Sequence, residues 1–382
     1  MNKLRFVTLH PAGTNVDLTK DEGQIPYTLC VNNEVEAMIV TCHINNKTAN
    51  LDAVTGLKVE HFPLIVNNSL TGVIYLLLNA KKIDWLNIYF AGRQAYIWTR
   101  LYKFLNKYGK VYLKLDMDFR SCNLYEENFR ERKVFTKNTE VVDLISVESM
   151  AVKEQIQKYS SKEIILIEDG VAKLDFTPKI DQIRENIFLT VARLGTEQKA
   201  TDVLLQAFAQ SADKHNWSLK LVGTIEEDFK EYIEEYFKQY PQLMNRVQFV
   251  GQIKNREVLY NEYCKAKVFV LPSRWESYGI SCAEALCCGC RLILSDAIPP
   301  AREMTNRGKY GEIIAPDNVN ALSKALLFAT QQEYNQQDIN EMVEYANNHF
   351  SWDRICAKLY NEMKIIDEEK DGFKTKIKTN QI

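Results

Sequence analysis

What this sequence lacks first is a surplus of either charge. Its 382 residues carry 48 lysines and arginines against 50 acids, a formal net charge of -2. That balance gives no whole-molecule basic footprint for a nucleic-acid backbone, so no nucleic acid is expected as a partner. Long apolar runs are missing too. The longest, Gly72 to Ala80, is far short of the roughly 20 residues that cross a bilayer as a helix. No secretory signal precedes the nine cysteines, an odd set, and a reducing cytoplasm is the expected compartment. The Cys287-Cys288-Gly289-Cys290 cluster has no second cysteine or histidine pair at zinc spacing. Small buried thiols beside a tight turn are therefore expected there, and no metal. There is no internal repeat, no long low-complexity stretch, and no Ser-His-Asp or Cys-His set in a convincing order.

What is present is enough apolar material for two cores: 46% hydrophobic residues beside 26% charged ones, over a length that exceeds what one core usually supports. Short β-rich runs alternate with helical periods. Leu4 to Leu9, Ala37 to Cys42, Trp85 to Phe90, Lys110 to Leu115, Val142 to Val147 and Ile164 to Ile167 read as one series of strands. Ile187 to Ala192, Leu219 to Gly223, Val247 to Val250, Val268 to Pro272 and Arg291 to Ser295 read as a second. Such alternation predicts an α/β protein with two doubly wound parallel sheets. A polar stretch from Val171 to Asn186, with Pro178 inside it, marks the boundary. The expected division is 1–172, 173–350, a helix over 351–370, and a flexible tail over 371–382.

In open α/β sheets, ligands sit beyond the carboxyl ends of strands, where helix N-termini offer unpaired N–H groups. After the strand Val268 to Pro272 comes a segment in which Glu276 and Glu284 stand eight residues apart with Gly279 between them. A helix starting near Tyr278 or Gly279 puts Glu276 in the preceding loop and Glu284 in the second turn. Ionised carboxylates there can each accept two hydroxyl hydrogen bonds, which suits the vicinal diols of a ribose or a hexose. Gly279 lets a ligand come close to the backbone.

This segment resembles the E-x7-E motif of retaining glycosyltransferases of family 4. Ala192-Arg193-Leu194, followed by Gln198-Lys199-Ala200-Thr201, is similar to the strand-loop-helix that opens that family's C-terminal domain. Leu221-Val222-Gly223, Val247 to Gly251, Glu168-Asp169-Gly170-Val171, and Ser295-Asp296 with Glu303 fit the same pattern. The resemblance runs from about Ile164 to Tyr360. It implies a GT-B architecture, two Rossmann-like domains facing a central cleft, with the last helix packing back on the N-terminal domain. It also implies that Arg193 and Lys199 hold the diphosphate of a nucleotide-sugar donor, that Glu276 faces the transferred sugar, and that Glu284 takes the ribose hydroxyls. Ser277, Tyr278, Gly279, Ile280 and Gly223 would complete the donor pocket. No metal cofactor is implied, because two fixed cations can stabilise the departing diphosphate. A sugar epimerase, a phosphorylase or a non-catalytic partner subunit on the same fold are the alternatives.

The first half carries less of the family pattern. Of its usual glycine-rich loop, His10 to Asn15 retains Gly13 beside Thr14, while a second candidate loop, Lys20 to Tyr27, holds Gly23. Asp116 and Asp118, at a strand end, are candidates for binding a glycan or lipid-linked acceptor. An isolated His43 reads as structural. From Lys81 to Lys114, eight basic residues face one acid, Asp84, with Tyr96, Trp98, Tyr102, Phe104 and Tyr108 among them. That mixture fits a helix resting on an anionic membrane, the inner membrane face in a cytoplasmic protein. The competing and favoured reading is a core-covering helix with solvated lysines.

Overall fold

A computed structural model describes residues 3–33, 35–44 and 51–379, without side chains from 370 onward. The chain forms two compact units: Met1–Met117 with Ser121–Lys173 and Phe350–Ile382, and Asp118–Arg120 with Leu174–His349.

The first unit holds seven strands: β1 (Leu4–Leu9), β2 (Val35–Thr41), β3 (Lys58–His61), β4 (Trp85–Tyr89), β5 (Lys110–Lys114), β6 (Leu144–Val147) and β7 (Ile165–Leu166). All pair in parallel, in the order β3-β2-β1-β4-β5-β6-β7. Its helices are α1 (Asp21–Asn32), α2 (Asn68–Asn79), α3 (Arg93–Leu105), α4 (Phe119–Glu127), α5 (Phe129–Val141) and α6 (Met150–Ile156). Crossovers between parallel strands are right-handed, so direction along the sheet decides the face a helix covers. From β3 to β4, β4 to β5 and β5 to β6 the chain steps the same way, which puts α2, α3 and α5 on one face. The β1-to-β2 step runs backwards and puts α1 on the other.

The second unit repeats the scheme with β8 (Glu185–Val191), β9 (Ser218–Val222), β10 (Val247–Gly251), β11 (Ala266–Leu271), β12 (Arg291–Ser295) and β13 (Gly311–Ile314). They are parallel, in the order β10-β9-β8-β11-β12-β13. Helices α7 (Thr201–Ser211), α8 (Phe229–Gln239), α9 (Arg256–Lys265), α10 (Ile280–Cys287), α11 (Ala301–Met304), α12 (Val319–Thr330) and α13 (Gln336–His349) connect them. Strand order reverses at β1/β4 in one sheet and at β8/β11 in the other, and these are the places where doubly wound sheets hold ligands.

A final helix, α14 (Trp352–Thr379), belongs to the first unit. Trp352, Ile355, Leu359 and Met363 are buried in one core with Ile25, Leu29 and Ile167. Each such side chain contributes about 1.5–3 kcal/mol by leaving water. Val171 and Ser351 form a parallel bridge, and Asn32 donates to Asp353 at 2.5 Å. Helix continues through Thr379, over much of the stretch expected as a flexible tail, whose lysines are good helix formers even without an apolar stripe. Residues 380–382 lie outside the described set. Two strands went unread in the sequence, β3 and β13. Each has four residues and sits at a sheet edge, where a short strand carries little alternation.

Candidate active site

The switch point of the second sheet lies between the ends of β8 and β11. Past β8, Arg193 stands in the loop, exposed, and a single 3-10 turn, Glu197–Lys199, precedes α7. Thr196 caps that turn by accepting from Lys199 N. Past β11 comes the loop with Ser273 and Glu276, and then α10, whose cap is Gly279 at φ +88°. That backbone value belongs to the left-handed region, where glycine alone is unstrained.

Three groups from these two loops meet on one carboxylate. Glu276 is buried, pairs with the Lys199 ammonium, and accepts from Ser273 Oγ at 2.7 Å and from Gln198 Nε2 at 3.3 Å. Gln198 also donates to Trp275 O and accepts from Arg193 at 3.4 Å. Arg193, Gln198, Lys199 and Glu276 thus form one connected polar chain across the switch point.

Glu284 lies one helix turn deeper. Its two oxygens accept from Tyr260 at 3.2 Å and Tyr263 at 3.0 Å, with Arg256 at 3.9 Å. Burial raises its pKa, while Arg256 and the two phenols pull the other way. Cys282 ties the two acids together: its buried thiol is pushed up by burial and then by Glu276, with Lys199 opposing and Glu284 adding a smaller push. Ser277 and Ile280 are partly exposed beside it, and Tyr278 is buried. Gly223 directly follows β9, and a β carbon there would come within 1.7 Å of Ala192 O, so its role is close backbone packing next to the Arg193 loop. Sequence reading passed over Ser273, Gln198, Tyr260 and Tyr263. The i, i+3 spacing of the two tyrosines, which puts them on one face of α9, was the available signal.

The candidates in the first unit scatter more. Gly13 packs against the His10 ring, where a β carbon would fall 2.5 Å away, and its carbonyl accepts from Thr41. Thr14 caps a 3-10 turn through Asp17. Gly23 sits within the first turn of α1, where a β carbon would meet the Leu18 backbone at 2.5 Å and its amide already donates to Lys20 O. The segment expected as a loop is helix from Asp21. Asp118, which groups with the second unit, accepts from Arg120 at 3.1 Å. Partly buried Asp116 adds its field to a cluster that the sequence did not reveal. Lys114, fully buried, lies 2.7 Å from Glu148, 2.9 Å from Asp169 and 3.6 Å from Asp21. Burial would lower its pKa, but the three carboxylates outweigh that and raise it. Burial pushes Glu22 and Asp169 up to about 7. His43 is exposed, and its amide donates to Thr41 Oγ1.

The cysteines of 287–290 lie within the second unit, at the end of α10 and in the turn before β12. Cys290 donates to Tyr263 O, and Arg184 donates to the carbonyls of Cys288 and Ala266. Among the described residues, no three His, Cys, Asp or Glu side chains converge as a metal site, and no helix is long and apolar enough to cross a membrane.

The profile of the family described as Glycosyl transferases group 1 matches residues 175–349, nearly all of the second unit. An uncharacterized glycosyltransferase of Methanocaldococcus jannaschii is 27% identical over 198 residues, covering 51% of this chain and 49% of its own length. An uncharacterized 41.2 kDa protein in the cps region of Klebsiella pneumoniae is 23% identical over 84% of this chain and 90% of its own. Among solved structures, sucrose-phosphate synthase of Thermosynechococcus elongatus superposes with a TM-score of 0.75 at 17% identity, over 95% of this chain and 99% of that one. HepE of Anabaena, in complex with UDP and glucose, superposes with a TM-score of 0.69 at 15% identity, over 95% and 100%. The fold is GT-B: two Rossmann-like parallel-sheet domains.

Proposed function

We propose that this chain, whose residues 175–349 form a glycosyl transferases group 1 domain, is a glycosyltransferase. In this reading it moves a hexose from a nucleoside diphosphate sugar to a glycan or lipid-linked acceptor of surface polysaccharide synthesis. The anomeric configuration is retained. The single observation that carries the reading is the polar chain Arg193–Gln198–Glu276–Lys199 at the sheet's switch point. The UDP and glucose bound by the Anabaena neighbour and the cps setting of the Klebsiella relative support the donor and acceptor classes.

The chemistry follows from the electrostatics. Without donor, Lys199 is held by Glu276. An incoming diphosphate offers more negative charge and draws Lys199 and Arg193 toward it, which frees Glu276 to accept hydroxyl hydrogen bonds from the sugar. As the bond to the anomeric carbon breaks, charge grows on the leaving phosphate, and the two cations stabilise it where it develops. The leaving phosphate takes the acceptor's proton on the same face of the sugar. Glu284 holds the ribose diol, and the backbone from Ser277 to Ile280, with Gly223, lines the pocket. Gly13, Thr14 and Asp116 or Asp118 serve the acceptor. No metal is required.

The test is diphosphate release from a panel of nucleotide sugars, in chelator, with and without Lys199→Ala. Loss of one charge-stabilising group lowers turnover about 10²–10³-fold. Release that survives the substitution unchanged overturns the assignment. Nucleotide binding without release from any donor favours a non-catalytic subunit.

A further inference from the structure

Beyond that reading, we propose that the outer surface of α2 and α3 is a docking face for a bilayer containing anionic lipid. The two helices cover the same face of the first sheet and are locked close together. Gly72 of α2 abuts Trp98, whose ring would lie 2.2 Å from any β carbon there, and Trp98 Nε1 donates to Ser69 O at 2.9 Å. On α3 the buried side chains are Ala95, Trp98, Thr99 and Tyr102. The opposite stripe reads Arg93, Ile97, Arg100, Phe104, at spacings of four, three and four, and all are exposed. On α2 the outward side chains are Leu70, Leu77 and Leu78.

The apolar members are large and open to water: Phe104 is 81% exposed, Leu78 66%, Leu77 56% and Ile97 50%. Scattered exposed leucines are ordinary, but a cluster of them on two locked helices is a surface awaiting a partner. Charge identifies that partner. Between Asn68 and Lys110 the only acid is Asp84, and it accepts from the Arg5 amide. Lys103, Lys110 and Lys114 are spent inside the unit on Asp143, Asp367 and the buried cluster. Lys81, Lys82, Arg93, Arg100 and Lys107 have no acidic partner among the described residues and are exposed. A second copy of this face would bring five cations against five. An anionic bilayer takes the cations at its headgroups and the Leu and Phe side chains at the acyl boundary.

The aromatics divide in agreement with this geometry: Trp98 and Tyr102 hold the helix to the protein, while Phe104 points away from it.

The test is flotation of the full chain with vesicles of phosphatidylcholine alone or with phosphatidylglycerol added, at low and high salt. Flotation is expected with phosphatidylglycerol only and is expected to fall as salt screens the contact. Lys81→Gln and Lys82→Gln should each lower the partition coefficient about fivefold. Phe104→Ser should lower it about tenfold or more. These side chains are exposed, so thermal unfolding should not move, and nucleotide binding by the second unit reports folding independently of the outcome. No flotation at low salt overturns the proposal, as does flotation that none of the three variants weakens. So does self-association in sedimentation that Phe104→Ser abolishes, which would make a second copy the occupant.

Discussion

Both units bury an ion pair at the carboxyl ends of their strands, but the two are balanced differently. In the second unit one carboxylate, Glu276, meets one ammonium, Lys199, with Ser273 and Gln198 filling the remaining positions. In the first unit one ammonium, Lys114, meets three carboxylates, with Glu22 and Asp116 close by. In the proposed reading, the paired arrangement leaves Lys199 and Arg193 able to change partner when a diphosphate arrives. The crowded one holds protons on its carboxylates near neutral pH and ties three other segments of chain to one lysine. One is arranged to exchange its partner, and the other to keep it.

The largest effect expected is on turnover: Glu276→Gln should lower kcat about 10²–10³-fold while the fold persists, checked by diphosphate release beside circular dichroism. A variant that loses folding instead would make the pair as structural as the one around Lys114. Next, Lys114→Met strands buried carboxylates and should cost about 3–5 kcal/mol of stability, read by urea unfolding, with little change in nucleotide affinity. If stability holds and only activity falls, the contrast between the units is reversed.

A smaller effect follows from protons. Burial raises Glu22 and Asp169 from ordinary values of 4.5 and 3.8 to about 7, so the folded state binds more protons than the unfolded one across that window. Their contribution is present at low pH and is lost as pH rises through about 7. Asp17 has the opposite sign: burial would raise it, but His10, Thr14 and Lys20 hold it below its usual range, and its stabilisation is lost only in stronger acid. Melting temperature in the wild type should therefore fall from pH 5 to pH 8, and a flat profile would remove the protonated cluster from the account. The smallest effect belongs to Tyr263→Phe, which frees one oxygen of Glu284. It should weaken nucleotide binding a few-fold, as loss of one hydrogen bond to a charged group does, measured by titration calorimetry.

How much was legible follows from how near in sequence the parts of each arrangement lie. Lys199 is beside Gln198, and Ser273 is three residues from Glu276, each pair following a strand with a clear apolar run. The strand-end rule pointed to the Glu276 segment, and the resemblance to family 4 glycosyltransferases paired it with the segment of Arg193 and Lys199. Lys114, Asp21, Glu148 and Asp169 come from four separate segments. Taken singly, each is an acid or base near an element end, and such residues are usually solvated or caps. Gly23 shows the same limit: as a glycine before an apolar stretch it read as a loop residue, while in the fold the Leu18 backbone is what forbids a side chain there.

The sequence alone determined two parallel α/β units, where eleven of their thirteen strands begin and end to within a few residues, and which strand ends carry acids and cations, because period and turn chemistry are local properties. Only the tertiary structure decided that Lys114 is encircled, that Tyr260 and Tyr263 grip Glu284, and that Phe104 faces outward while Tyr102 does not. Burial and charge balance are sums over segments far apart along the chain, and those sums do not exist until the sheets are assembled.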